Sequence, residues 1–169
     1  MQSLETFKTH RLLAERLQFQ HLNELNRMHQ NKQVMATLGG VRSDEETRLF
    51  IFNNLHHWQR YGYGLWVFRD KINHQFVGRA GLRNTEIDGI NEVELAYALM
   101  AKFWGQGLAT EMGEKILQIG FEILNLQEVV CFTLTTNQAS QRVMEKLGFK
   151  YEREMIYANL PHLFYRFKA

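Results

Sequence analysis

Phe103-Trp104-Gly105-Gln106-Gly107-Leu108-Ala109-Thr110-Glu111 joins a strand-like run to a helix through two glycines, and the rest of the chain is organised around it. Upstream, Val93-Glu94-Leu95-Ala96-Tyr97-Ala98-Leu99 alternates bulky with small or polar residues at the period of a strand. Downstream, Leu108, Met112, Ile116, Ile119 and Ile123 recur at steps of three and four, and Leu117, Phe121 and Leu124 widen the stripe of an amphipathic helix. A helix starting at about Gly107 leaves its first amides without intrahelical acceptors, and glycines let an anion approach the backbone with no Cβ in the way. The stretch therefore reads as a phosphate-gripping turn.

Three kinds of phosphate loop are weighed. The lysine and hydroxyl of GxxxxGK[ST] are absent, which argues against a nucleotide triphosphatase. A dinucleotide fingerprint requires glycine where Thr110 stands and an acidic residue at the end of the next strand, whereas Glu128 falls at its start. The third is the acetyl-CoA loop of the GNAT acyltransferases, Arg/Gln-x-x-Gly-x-Gly/Ala, whose second half Gly107-x-Ala109 satisfies. Trp104 stands in its first position, a departure that resembles the RimJ/RimL-type branch with its aromatic-Trp-Gly-x-Gly-x-Ala-Thr-Glu run. Taken alone, the loop is also compatible with a glycine turn that holds no ligand. Farther on, Asn137-Gln138-Ala139-Ser140-Gln141-Arg142-Val143-Met144-Glu145-Lys146-Leu147-Gly148-Phe149 resembles the branch's second signature, Asn-x-x-Ser-x-x-(apolar)-x-x-Lys-Leu-Gly-Phe. Physically it is a short helix with Asn137 at its N-cap and Gly148 as left-handed C-cap. Two signatures in order are far more specific than one, and the resemblance covers nearly the whole chain.

At 169 residues, 45% of them apolar, the chain reads as a single domain over 1–169 with a real core. Lysine and arginine exceed aspartate and glutamate by only 20 to 18, so the net charge of +2 argues against a dedicated nucleic-acid binder. No basic-then-apolar leader opens the sequence, and its longest apolar run, Leu95 to Ala101, is too short to span a bilayer. A cytoplasmic, membrane-free protein is the expectation. The single cysteine, Cys131, sits in Val129-Val130-Cys131-Phe132 and reads as a buried strand residue rather than a nucleophile.

Residues 7 to 17 read as an opening strand containing Thr9-His10-Arg11-Leu12, which resembles the branch's Thr-x-Arg-Leu start. Gln20 to Met28 reads as a helix, and Asn31 to Val41 as an apolar segment too glycine-rich for regular helix. Ser43 with Glu46 forms a capping-box pattern that opens a helix ending near Tyr61-Gly62. His56-His57 point about 100° apart on that helix and have no third ligand at metal spacing, so no metal site is expected. Leu65 to Arg69 and Gln75 to Leu82 form a hairpin in which Gly78 and Gly81 mark a close backbone approach or a bulge. A polar turn from Arg83 to Asn91 leads to the strand before the glycine loop, so three strands make an antiparallel meander. The strand at Glu128 to Leu134 then lies parallel to its predecessor across the helix. Lys150 to Ile156 and Leu160 to Phe167 close the chain as a hairpin. The resulting α/β (α+β) reading, completed by the resemblance, is a GNAT fold. It has a mixed, mostly antiparallel twisted sheet of about six to seven strands with a central parallel splayed pair, flanked by about four helices.

The resemblance implies an acetyl-CoA-dependent N-acetyltransferase in which the amine attacks directly in a ternary complex. Coenzyme A would lie with its pyrophosphate on the amides of Gly105, Gln106, Gly107, Leu108, Ala109 and Thr110. Its pantetheine arm would run beside Tyr97, Ala98 and Leu99 and meet Asn137. An α-amine has a pKa of about 7.7–8.0 and arrives largely protonated. Glu94, three residues before Tyr97, is the candidate base, with Glu92 as its rival and a surface carboxylate as the alternative. Where many GNAT enzymes place a tyrosine to protonate the thiolate, this chain has Met144, and Ser140 is the replacement that the branch resemblance suggests; a helix-surface hydroxyl is its alternative. The partners are acetyl-CoA and an amine acceptor, either a protein N-terminus or a small amine or amino acid, and a homodimer is compatible with the sequence. A non-catalytic CoA-binding module on the same fold is the rival class. The segment 32–42, expected to border the acceptor, has no acidic residue, so a neutral or apolar acceptor surface is expected and polyamines are disfavoured.

Overall fold

The computed structural model describes residues 3–169. In chain order the strands are β1 (Thr6–Lys8), β2 (Leu12–Arg16), β3 (Leu65–Asp70), β4 (Phe76–Ile87), β5 (Ile90–Leu99), β6 (Glu128–Leu134), β7 (Lys150–Tyr157) and β8 (Leu160–Lys168). The helices are α1 (Leu22–His29), α2 (Lys32–Met35), α3 (Asp44–Tyr61), α4 (Leu108–Gln118) and α5 (Gln138–Leu147). All eight strands form one sheet in the order β1-β2-β3-β4-β5-β6-β8-β7, antiparallel throughout except for the β5–β6 pair at its centre.

The sheet is slightly larger than the six to seven strands expected. The opening segment turns back on itself at Thr9, whose N–H donates to the Leu12 carbonyl at 2.9 Å, and splits into two short strands. The polar stretch after Leu82 is strand and not turn: β4 continues to Ile87, and only Asp88 and Gly89 reverse the chain, both at positive φ (50° and 80°). That is the conformation a two-residue hairpin of matching twist requires. The fifth helix, α2, is a single turn capped by Asn31, and Gly39 and Gly40 farther on hold left-handed backbone (φ 92° and 89°). The Ser43–Glu46 capping box and the left-handed Gly62 delimit α3 as the sequence suggests. A π-helical turn, Ile119–Ile123, extends α4.

Strand alternation sends apolar residues to both faces. On one, Trp66, Phe68, Leu82 and Leu95 pack with Met112 and Ile116 of α4 and Met144 and Leu147 of α5. On the other, Leu65 and Val67 pack with Leu25 of α1 and Ile51 of α3, while Ala98 packs with Met28, Val34 and Met35. Burying each large aliphatic or aromatic chain is worth roughly 1.5–3 kcal/mol, which holds helices to both sides of the sheet. No helix among the described residues is long and apolar enough to cross a membrane.

Candidate active site

The glycine loop lies at the end of β5. Gly105 and Gly107 take left-handed backbone (φ 72° and 77°), and α4 starts at Leu108. Among the described residues the amides from Gly105 to Thr110 donate to no protein acceptor; the next, Glu111, donates to the Gly107 carbonyl at 3.1 Å. A Cβ on Gly105 would meet nothing within 4 Å, and one on Gly107 only Arg11 Nη2 at 3.5 Å. The loop is thus an open cradle of unspent N–H donors at a helix N-terminus, which suits a diphosphate. Trp104 shapes its entrance by donating Nε1–H to the Leu99 carbonyl at 2.9 Å.

Arg11 and Glu111 are site residues that the sequence reading did not select. Arg11 Nε donates to Glu111 Oε1 at 2.8 Å, and Arg11 Nη1 to the Gln106 carbonyl at 2.8 Å. The Thr9 hydroxyl and the Arg11 amide both donate to Glu111 Oε2. Burial alone would raise the Glu111 pKa, but the Thr9 and Arg11 donors outweigh it and hold the carboxyl below its ordinary range. The Thr-x-Arg start and the final Glu of the loop run, noted as separate resemblances, are one clamp. It ties the β1–β2 hairpin to the loop from about a hundred residues away, and leaves Arg11 Nη2 beside Gly107 with no protein acceptor among the described residues.

Beyond the loop, β5 and β6 are in register only where Glu94 faces Val130. Tyr97, Ala98 and Leu99 lie past that point, where the strands part. Tyr97 bridges the opening: its hydroxyl lies 2.7 Å from Ser140 Oγ on α5. Asn137 caps that helix by accepting from the Ser140 amide at 3.2 Å through Oδ1, which leaves its NH2 group without a protein acceptor among the described residues. Burial, helped by the neighbouring Cys131, pushes the Tyr97 phenol far above its ordinary range, so it stays a neutral O–H donor. Cys131 is buried in β6 with Sγ 3.3 Å from the Leu95 carbonyl, and burial raises its thiol well above normal. It is inert as a nucleophile.

Both candidate bases are ion-paired. Glu94, 4% exposed, accepts from Arg83 through Nε at 2.8 Å and Nη2 at 3.1 Å. Glu92 accepts two bonds from Arg166, each 2.9 Å, within a group that includes Glu128 and Glu152. A carboxylate accepts at about four lone-pair sites, so Arg83 leaves Glu94 room for a water or an amine. Glu92 shares its guanidinium with two other carboxylates and so belongs to the β5–β6–β8 framework. His57 is taken up locally: its ring accepts from the Asn84 amide at 2.8 Å and donates to the Tyr63 carbonyl at 2.7 Å. The face that carries Glu94 also bears Arg79 and Arg83, and Arg42 approaches the same Phe50 ring as Arg79.

The family described as acetyltransferase (GNAT) domain matches residues 11–150. Protein YkkB of Bacillus subtilis, itself uncharacterised, is 29% identical over 136 residues, spanning 80% of this chain and 79% of YkkB. Among solved structures, RimL, a ribosomal alpha-N-protein acetyltransferase in complex with coenzyme A, shares the fold at a TM-score of 0.81 over 97% of this chain and 98% of its own, with 22% identity. The spermidine N-acetyltransferase of Vibrio cholerae, in complex with CoA and spermine, does so at 0.75 over 94% and 95%, with 17% identity. One architecture therefore serves acceptors as different as a ribosomal protein and a polyamine.

Proposed function

The chain belongs to the GNAT acetyltransferase family, and from that premise we propose that it acetylates a primary amine in the cytoplasm by direct attack within a ternary complex with acetyl-CoA. Acetyl-CoA, when bound, supplies the activated acyl group as a thioester. The amides of Gly105, Gln106, Gly107, Leu108, Ala109 and Thr110 grip its diphosphate, with Arg11 Nη2 adding a charge beside Gly107. Main-chain groups of Tyr97, Ala98 and Leu99 and the free NH2 of Asn137 hold the pantetheine arm in the gap between β5 and β6. Donors fixed there also favour negative charge on the thioester oxygen, at no cost of reorganisation. Glu94 takes the proton from the incoming ammonium, directly or through water. Ser140, hydrogen-bonded to the neutral Tyr97 phenol, gives its hydroxyl proton to the departing thiolate and is reprotonated, through solvent, by the second proton that the attacking nitrogen sheds as the amide forms. A protein N-terminal amine and a small amine or amino acid remain the two acceptor classes.

The observation that carries this reading is the row of unspent amides from Gly105 to Thr110 beside the opened parallel pair. Because the grip is made by backbone, Gly107→Val should abolish it: the left-handed φ of 77° strains any branched side chain, and the added methyls enter the cradle. Calorimetry with acetyl-CoA and thiol release over a panel of amines test the proposal together. Wild-type affinity in a folded Gly107→Val variant would place the donor elsewhere.

A further inference from the structure

The register of β4 on β5 sets Arg79 opposite Ala98, Gly81 opposite Ala96 and Arg83 opposite Glu94. Residues directly opposite share a face, so the row reads arginine, small floor, then ion pair, with steps of about 7 Å. Ala96, in the middle, is partly exposed. Arg79 is 5% exposed, yet its guanidinium makes one hydrogen bond, from Nε to His29 Nε2 at 3.1 Å. His29 in turn donates Nδ1–H to the Thr47 hydroxyl at 2.9 Å, which fixes the tautomer that accepts from Arg79. The Nη groups of Arg79 have no protein acceptor among the described residues. They are not sealed from solvent either, since among the described residues the only sealed and unpartnered side-chain atoms are Arg16 Nε and Asn26 Oδ1.

Arg42 joins from the segment before α3. Its guanidinium lies 5.2 Å from the Phe50 ring, that of Arg79 4.6 Å from the same ring, and the Arg42 side chain makes no ion pair among the described residues. The groups facing this pair are neutral His29, Arg83 with Glu94, and Tyr157; Glu46, fully exposed, is spent on the Ser43 cap. Three guanidiniums thus meet one buried carboxylate. Burial first, then Arg42 and Arg83, lower the Arg79 pKa to about 9, the mark of a cation short of counter-charge. A buried cation without a partner is costly, and a guanidinium with free Nη groups matches an oxyanion in shape and charge.

Resting on the acetyltransferase reading above, we propose that the acceptor amine carries a carboxylate, which Arg79 and Arg42 hold over the Ala96 floor while its amine faces Glu94. That carboxylate comes either from a free amino acid or from an acidic side chain close to a peptide N-terminus. Polyamines are excluded by the same charges.

Matched acceptors separate the possibilities with acetyl-CoA saturating: alanine against alaninamide, as pH-independent kcat/KM, and the amidated dipeptide Ala-Glu against Ala-Gln. The charged member of at least one pair should win by about tenfold or more, the range of a charge-assisted pair of hydrogen bonds. The winning pair identifies the source. In Arg42→Gln and Arg79→Gln that preference should collapse while KM for acetyl-CoA stays put; Arg42 lies outside the regular elements, so its variant keeps the test open should Arg79→Gln not fold. Equal or better rates for the neutral members, preference for spermidine, or discrimination untouched in a folded Arg42→Gln would overturn the proposal. If no amine releases thiol, the acetyl-transfer reading fails first. Calorimetry on the CoA complex, of N-acetylalanine against its amide and of amidated N-acetyl-Ala-Glu against amidated N-acetyl-Ala-Gln, then still decides this one, with equal affinities in both pairs counting against it.

Discussion

Glu94 shows how a residue's role depends on its partner. From sequence it is a carboxylate on the strand that carries the donor; in the fold it is buried and held by both Nε and Nη2 of Arg83. Two variants separate a base from a mere ion pair. Glu94→Gln keeps the shape and should leave acetyl-CoA affinity intact while lowering turnover by about 10²–10⁴-fold, the usual cost of losing a general base. Arg83→Gln removes the partner but keeps the carboxylate, so it should retain most turnover. Equal losses in the two variants, tracking their thermal stability, would reduce Glu94 to a structural anion. Glu94 could be found by its place before Tyr97. Arg83 could not, because only the cross-strand register brings it opposite.

At the scale of the element, β4 sits so close to its neighbours that side chains are excluded. A Cβ on Gly81 would lie 2.2 Å from the Gly64 carbonyl, and one on Gly78 2.2 Å from that of Ala98. The glycines in this strand signalled a close approach or a bulge, and both occur: the approach is at Gly78 and Gly81, and Val77, beside Gly78, is an extra residue of β4 between the partners of Phe68 and Arg69. Backbone cannot yield as a side chain tip can. Gly81→Ala should therefore destabilise the protein by about 1–3 kcal/mol or more, read as a lower urea midpoint at unchanged m-value; an unshifted midpoint would mean the sheet relaxes freely. The end of β4 hid itself for a different reason. Arg83, Asn84, Thr85 and Glu86 are polar because they lie on a partly exposed strand, and composition alone does not separate that from a turn.

For the whole molecule, burial of His29 between α1, α3 and the sheet couples folding to pH. Its pKa falls to about 3, through burial first and then the charges of Arg79 and Arg42. The unfolded chain binds this proton near pH 6.5, the folded chain only near pH 3, so the contribution is complete above about 6.5 and lost progressively as pH falls below it. Between about pH 6.5 and 5 that amounts to about 2 kcal/mol, to which His57, also lowered by burial, adds in the same direction. Urea unfolding at both ends of that window should show the loss, and a folded His29→Gln variant should show less of it; identical slopes would remove His29 as the cause. What the sequence determined by itself were features written in neighbours: the glycine loop opening a helix, the Ser43 and Asn137 caps, the Gly148 stop, the parallel strand after α4. Each follows from backbone geometry within a few residues, and together they specify the fold and the glycine loop of the candidate site. Tertiary structure alone decided the Thr9–Arg11–Glu111 clamp, the Tyr97–Ser140 bridge and the row of Arg79, Arg83 and Arg42 around Glu94, because charge and hydrogen-bond partners there come from strands and helices distant in the chain. Which groups meet across a sheet depends on register and packing, and no local period records that.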